Sequence, residues 1–231
     1  MFTVATYNVH QWRDRYGRED IQKTLQVIRS LHTDVLAIQE ASFSLVQSRP
    51  FDLQHLEDGT GMKAVPGMTM WRKEAHFGNV LLTAHPVEEI RRMDLSLNDR
   101  EPRGAIMVTM RIDNVPIRII ATHLGLKRDE RRCQMKKILN DIREGDPDVT
   151  ILLGDLNEWD PFGSVFRLLR IHFGRDWSPP SYPSHFPVLA LDRILVRPAG
   201  TRKTIKAVRT AAARTASDHL PVTAIIDPVA S

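Results

Sequence analysis

Val4-Ala5-Thr6-Tyr7-Asn8 and Ile119-Ile120-Ala121-Thr122-His123 are apolar runs that end on a polar side chain. Each is followed by a second run that ends on an acid: Asp34-Val35-Leu36-Ala37-Ile38 leads to Glu40, and Asp148-Val149-Thr150-Ile151-Leu152 leads to Asp155. Runs this short and apolar read as buried strands. Asn8 and Glu40 are 32 residues apart, and so are His123 and Asp155. The chain therefore reads as two strand, helix, strand units of equal length, which would face one another across a pseudo-twofold axis.

Working outward, Glu19 to Leu31 has Ile21, Leu25 and Ile28 on one helical face, with acids expected in its first turn. Val35 to Gln39 and Gly78 to Thr83 read as strands. Gly104 to Ile112 and Val115 to Thr122 form a hairpin through Asp113-Asn114, with Pro116 where its missing N–H costs little. Lys127 to Arg143 is a helix with Met135, Ile138, Leu139 and Ile142 facing the core, its charges reading as a solvated face. Ser164 to Ile171 looks helical. Trp177 to Pro187, with four prolines, reads as an ordered loop; Leu189 to Val196, Ile205 to Thr210 and Leu220 to Ile226 read as strands. Phe43 to Glu74 has weak periodicity and reads as a variable connection bordering the substrate site. Interleaved strands and helices favour two mixed sheets packed face to face and covered by helices.

The 231 residues are 42% hydrophobic and 26% charged, a balance that excludes disorder over most of the chain and supports a sizeable core. No run approaches the length of a membrane helix, and Met1 directly precedes the first strand, so no leader is expected and the cytoplasm is the simplest location. A single cysteine, Cys133, excludes an intramolecular disulfide, and its helical context points to ordinary packing. The net charge of +4 permits attraction to phosphate-rich partners but falls short of the cationic surface that argues for nucleic acid.

Asn8, Glu40, Asp155 and the Ser217-Asp218-His219 segment lie just past or before apolar runs, where a fold can aim them into one cleft. Hard oxygen ligands converging with histidines point to metal-assisted phosphate chemistry. Glu40 is the best candidate for holding Mg²⁺, with Asn8 either as a neutral oxygen ligand or as the group that orients Glu40. Asp155 and Asn157 would share a face if strand geometry persists past Gly154.

In order along the chain, Thr6-Tyr7-Asn8, Gln39-Glu40, Gly78-Asn79, Arg103-Gly104, Thr122-His123, Gly154-Asp155-Leu156-Asn157, Leu191-Asp192 and Ser217-Asp218-His219 resemble the motifs of the endonuclease/exonuclease/phosphatase superfamily, the DNase-I-like fold. The resemblance spans nearly the whole chain. It implies an α/β (α+β) four-layer sandwich, two mixed central sheets flanked by helices, with residues 1–231 as a single catalytic domain. It further implies that Asp155 orients or deprotonates water, that Asn157 hydrogen-bonds the developing phosphorane and that His123 contacts phosphate. His219, oriented by Asp192, is the competing base, and Asp218 supports His219 or a second metal. Arg103 would neutralise a phosphoryl oxygen, and Asn79 would contact substrate or start a strand. His10, His76 and His185 receive no role. Where the family often carries an aromatic residue or histidine after Asp192, this chain has Arg193, which would reach the leaving group or face solvent.

The expected function is a Mg²⁺-dependent phosphodiesterase or phosphatase, with Mn²⁺ as a substitute, acting by direct water attack on a lipid-derived or other small phosphoester. A DNA or RNA endonuclease drawing on the charges between Lys127 and Lys137 is the alternative, so nucleic acid is a less favoured partner. A catalytically silent phosphate-binding protein ranks last. No obligate protein partner is evident.

Overall fold

Alternation along the strands divides the core into layers. In β1 (Phe2–Asn8), Phe2 and Val4 point to one side, and Ala5 and Tyr7 to the other, as the two-residue pleat requires. The computed structural model describes residues 1–44, 51–72, 75–142, 147, 149–175 and 177–228. Asp148 of the second repeat, Arg143 at the expected end of the charged helix and parts of the 43–74 connection, Glu74 among them, lie outside the described residues.

β1 lies in a six-stranded sheet with β2 (Val35–Phe43), β3 (Lys63–Arg72), β4 (Ala75–Thr83), β10 (Arg202–Ala207) and β11 (Val222–Ile226), in the order β10-β11-β1-β2-β4-β3. The second sheet has five strands, β5 (Val87–Asp94), β6 (Gly104–Ile112), β7 (Val115–His123), β8 (Val149–Asp155) and β9 (Asp192–Arg197), in sequence order. The repeat is visible in the pairing. β1 and β2 are parallel and flanked by antiparallel β11 and β4; β7 and β8 are parallel and flanked by antiparallel β6 and β9.

The inner faces of both sheets share one apolar cluster, in which Val35, Leu81, Ile106, Ile119, Ile151 and Ile194 are buried. Burying each such side chain contributes about 1.5–3 kcal/mol. On the outer face of the first sheet lie α1 (Ile21–Ser30), α2 (Leu53–Thr60) and the short α5 (Ala213–Ala216); on that of the second lie α3 (Arg128–Asn140) and α4 (Ser164–Phe173). These are the four layers of a DNase-I-like sandwich.

The hairpin closes at Asp113 and Asn114, both left-handed (φ 52° and 64°), the geometry a two-residue turn between twisted strands demands. Pro116 sits opposite Arg111, one residue before β7 begins pairing with β8 at Ile117. Several expectations shift. α1 has no acid in its first turn, because Asp20 caps it from outside by accepting from the Lys23 amide. The 43–74 connection contains α2 and β3. The last three strands lie at Asp192–Arg197, Arg202–Ala207 and Val222–Ile226, and β5 had no counterpart in the sequence reading. α3 is less solvated than its charges imply: Glu130, Arg131 and Gln134 are buried, and Arg131 pairs with buried Glu158 at 3.3 Å. Cys133 is exposed rather than packed. Among the described residues no helix is long and apolar enough to cross a membrane.

Gly154 lets β8 lie against β7. Its φ is +145°, and an added Cβ would fall 1.8 Å from the Thr122 carbonyl oxygen. Gly154→Ala is expected to destabilise the protein by about 2–4 kcal/mol through backbone strain and overpacking. A thermal melt that leaves the midpoint unchanged would contradict this close approach.

Candidate active site

The inter-sheet core turns polar at one end. Val4, Ala121, Leu153, Ile194 and Leu81 fill the core, and the same pleat places Asn8, His123, Asp155, Asp192 and Asn79 further along the same face. Paired residues bring several of these together: His123 lies opposite Asp155, which lies opposite Asp192.

Glu40 reaches the cleft differently. Leu36 and Ile38 face the helices, so strict alternation would put residue 40 there too. A β-bulge between Ile38 and Ala41, with Glu40 left-handed (φ 55°), turns its side chain back toward Asn8. After Asn8 the chain leaves β1 through a left-handed turn over His10, Gln11 and Trp12. Trp12 pins this turn through its indole N–H to the Ser42 carbonyl (2.6 Å).

Asp155 is the hub. Asn8 Nδ2 donates to Asp155 Oδ2 at 3.1 Å and to Glu40 Oε1 at 3.0 Å, while its own carbonyl accepts from the His10 amide. Asn8 thus presents its donors to both carboxylates and orients Glu40. The Asn157 backbone amide donates to Asp155 Oδ1 at 2.9 Å. Nε2 of His123 and of His219 lie 3.6 and 3.7 Å from Asp155 Oδ2. β8 ends at Asp155 and Asn157 is left-handed (φ 50°), so a turn, not a continued strand face, brings these two residues together.

His219 Nδ1 lies 2.8 Å from Asp192 Oδ2, and the same oxygen accepts from Ser181 Oγ at 2.5 Å. Burial pulls the His219 pKa down, but the carboxylates of Asp192 and Asp155 prevail and push it up to about 10. His123 moves the other way. Burial and the Arg103 guanidinium lower it to about 3. Arg103 Nη1 and Asn157 Nδ2 flank its ring at 3.4 and 3.0 Å. Burial raises Glu40 above the usual carboxylate range against the Asn8 hydrogen bond, and Asp155 and Asp218 add to the rise.

Asp218 turns to partners other than the His219 ring: its Oδ1 faces His10 Nδ1 at 3.8 Å and accepts from Ser217 Oγ at 3.3 Å. Asn79 donates to the Gly104 carbonyl at 3.0 Å, tying the two sheets together, and lines a narrow pocket with Glu40, Thr69, Arg103 and His123. Thr69 brings part of the 43–74 connection to the site. Arg193 reaches neither solvent nor the cleft: it is buried, with its guanidinium 4.4 Å over the Phe166 ring beneath α4. His76 packs against Trp71, and His185 is exposed.

Sequence reasoning missed Ser181, Tyr182, whose ring lies 4.8 Å from His219, and Glu101, paired with Arg103 at 2.7 Å. All three occupy Pro-containing segments without periodicity, so no sequence signal marked them. Among the described residues, Asp155, Asp192 and His219 form the tight acid/histidine group, with ligand atoms within 4.8 Å of one another.

The profile of the Endonuclease/Exonuclease/phosphatase family matches residues 5–219. The uncharacterized protein YbhP of Escherichia coli is 28% identical over 249 residues, covering 97% of this chain and 96% of its own. A functionally unknown conserved protein of Enterococcus faecalis superposes with a TM-score of 0.78 at 19% identity, covering 97% of this chain and 98% of that one. The mannosyl-6-phosphatase of Bacteroides thetaiotaomicron superposes at 0.74 and 16% identity, covering 98% and 99%. These likenesses show the fold, and the profile, spanning every polar position described above, shows that the chain belongs to the endonuclease/exonuclease/phosphatase family.

Proposed function

We propose that the protein is a divalent-metal-dependent phosphoester hydrolase, a single catalytic domain over residues 1–231 acting on a small phosphoester by direct attack of water. The observation that carries this reading is the Asp155 carboxylate, approached by donors or rings from Asn8, His123, Asn157 and His219. Such a carboxylate is held in one orientation by donors to both oxygens, and the lone pairs that remain can take a proton from water. His219, charged near neutral pH and steered by Asp192, is suited to hold a phosphoryl oxygen, which leaves Asp155 as the base. Neutral His123, Asn157 and buried Arg103, whose Nε has no hydrogen-bond partner among the described residues, would bind the other phosphoryl oxygens.

The residues fit a hard cation. Glu40 and Asp218 offer carboxylate oxygens, and the crowding of Glu40 by Asp155 and Asp218 is the kind of repulsion a cation relieves. Glu40, oriented by Asn8, and Asp218 would hold Mg²⁺ or Mn²⁺, which when bound polarises a phosphoryl oxygen and stabilises the leaving oxygen. The α3 charges lend less to a nuclease reading than their number implies. Arg128 pairs with Asp160, Arg131 with Glu158, and Lys137 with the Asp94 carbonyl.

With Mg²⁺ present, Asp155→Ala and His219→Ala are each expected to lower kcat/KM by about 10²–10⁴-fold with a cooperative melt retained. Full activity in both variants would remove this centre. Glu40→Gln should raise the Mg²⁺ concentration needed for half-maximal rate. Unchanged metal dependence would refute Glu40 as a ligand, and preferential nicking of plasmid DNA over small esters would turn the assignment toward a nuclease.

His219 gives a pH test. Its folded pKa of about 10 lies above the ordinary 6.5, so its stabilising contribution is complete below about 6.5 and lost as pH rises through about 10. Asp192→Asn should lower the His219 pKa by roughly one to three units, read by NMR titration of the ring, and shift that loss to lower pH. An unmoved titration would show that Asp192 does not charge His219.

A further inference from the structure

Arg103 stands between two recesses. One is the narrow pocket with Glu40, Asn79 and His123; the other is a cavity of about 320 Å³ on its far side, reaching across to the loop after β7 and the start of α3. That volume is at the low end for small-molecule sites, enough for one compact ring or short chain.

The cavity has a fixed wall. Buried Glu130 and Gln134 of α3 hold the loop: Gln134 Oε1 accepts from the Gly125 amide at 2.8 Å, and Gln134 Nε2 donates to Glu130 at 3.2 Å. Gly125 lies so close that an added Cβ would fall 1.9 Å from Glu130 Cδ. Opposite, Arg100 is clamped by Asp129 at 3.1 and 2.7 Å.

The lining is electrically balanced. Arg100, Arg103 and Lys127 face Glu101, Asp129 and Glu130. Arg100 is engaged by Asp129 and Glu130, so its charge is not offered to a ligand. A second phosphate would meet three carboxylates. Among the described residues no aromatic side chain lines the cavity, which leaves no stacking platform for a nucleobase there. Leu126, 71% exposed, is the sole aliphatic residue there among the described residues, too little surface for an acyl chain. What remains are Glu101, partly exposed, whose Oε1 holds Arg103 at 2.7 Å and whose Oε2 meets Arg72 only at 3.5 Å, leaving lone pairs to accept from a ligand, and Lys127, a donor; together they suit hydroxyl groups.

We propose that this cavity receives the organic half of the phosphoester, and that the group it takes is a compact, uncharged polyol such as a sugar, with Glu101 accepting its hydroxyls and linking recognition to Arg103. The proposal rests on the hydrolase reading and deepens it by naming the substrate class. Glu101 thereby becomes a specificity-determining residue. Its negative charge next to Arg103 also limits how much anionic charge the phosphate site accepts.

The test compares three diesters with the same p-nitrophenolate leaving group and a retained methyl, thymidine or hexose group, hydrolysed by the full chain and by Leu126→Trp. The exposure of Leu126 makes the variant safe for folding, and its indole would fill the cavity. The hexose ester is expected to exceed both others in kcat/KM by about tenfold, what one or two net hydrogen bonds supply. Leu126→Trp is expected to bring the hexose-to-methyl ratio to about one. A preference for thymidine, or a ratio unchanged by Leu126→Trp, would overturn the proposal while leaving the hydrolase standing. If none of the three, nor p-nitrophenyl phosphate as a monoester, is hydrolysed in an Asp155-dependent way, the hydrolase reading has failed. Calorimetric titration with a hexose phosphate then decides the cavity alone: saturable binding weakened by Leu126→Trp supports it, and no binding overturns it.

Discussion

The hydrogen bond from Asn8 to Asp155 crosses from one sheet to the other at the point where both parallel strand pairs end. It forms only if the sheets pack with those ends aligned, because neither side chain has reach to spare at 3.1 Å. The shared apolar core supplies the alignment and the two helical layers hold it from outside. The polar end of the core is therefore the extension of the same pleated faces that make the core. Two buried carboxamide and carboxylate groups at such a junction also satisfy one another, which lets polar atoms stand at the rim of an apolar core at little cost.

Electrostatics then separates groups of the same type. His123 and His219 lie almost equally far from one oxygen of Asp155, yet their pKa values are pushed to about 3 and about 10. Burial lowers both. The difference is the neighbour on the far side of each ring, a guanidinium for His123 and a carboxylate for His219. One imidazole stays neutral and the other charged across the working range, a division of roles that a cluster of like residues would lack. Arg103 takes part in both this division and the far cavity, so the charge beside His123 and the wall of that cavity meet at one side chain.

Much of this was legible in the residue order. Asn8, His123, Asp155 and Asp192 each terminate or begin an apolar strand, and the 32-residue echo marks the two parallel pairs. Other features were hidden for physical reasons. α2 contains Gly59 and β3 contains Pro66 and Gly67, and their pattern is weak because neither element buries a full face. Arg193 carries a charge that sequence reading assigns to water or substrate, but the pleat that turns Asp192 inward turns its neighbour outward under Phe166. The α3 charges read as solvated because Glu158, which buries Arg131, lies 27 residues away on another segment.

The sequence by itself determined the family, the layered architecture and nearly all the residues of the polar cluster at the end of the core, because strand periodicity and motif order are local properties that the chain carries in any conformation. Only the tertiary structure decided how those residues act together. The bulge that swings Glu40 round, the turn that returns Asn157 to Asp155, the support of Asp192 by Ser181 and the pairing of Glu101 with Arg103 all depend on contacts through space. So do the opposed charges of the two histidines, since a pKa is set by burial and by the nearest charges, and neither exists until the sheets have closed on one another.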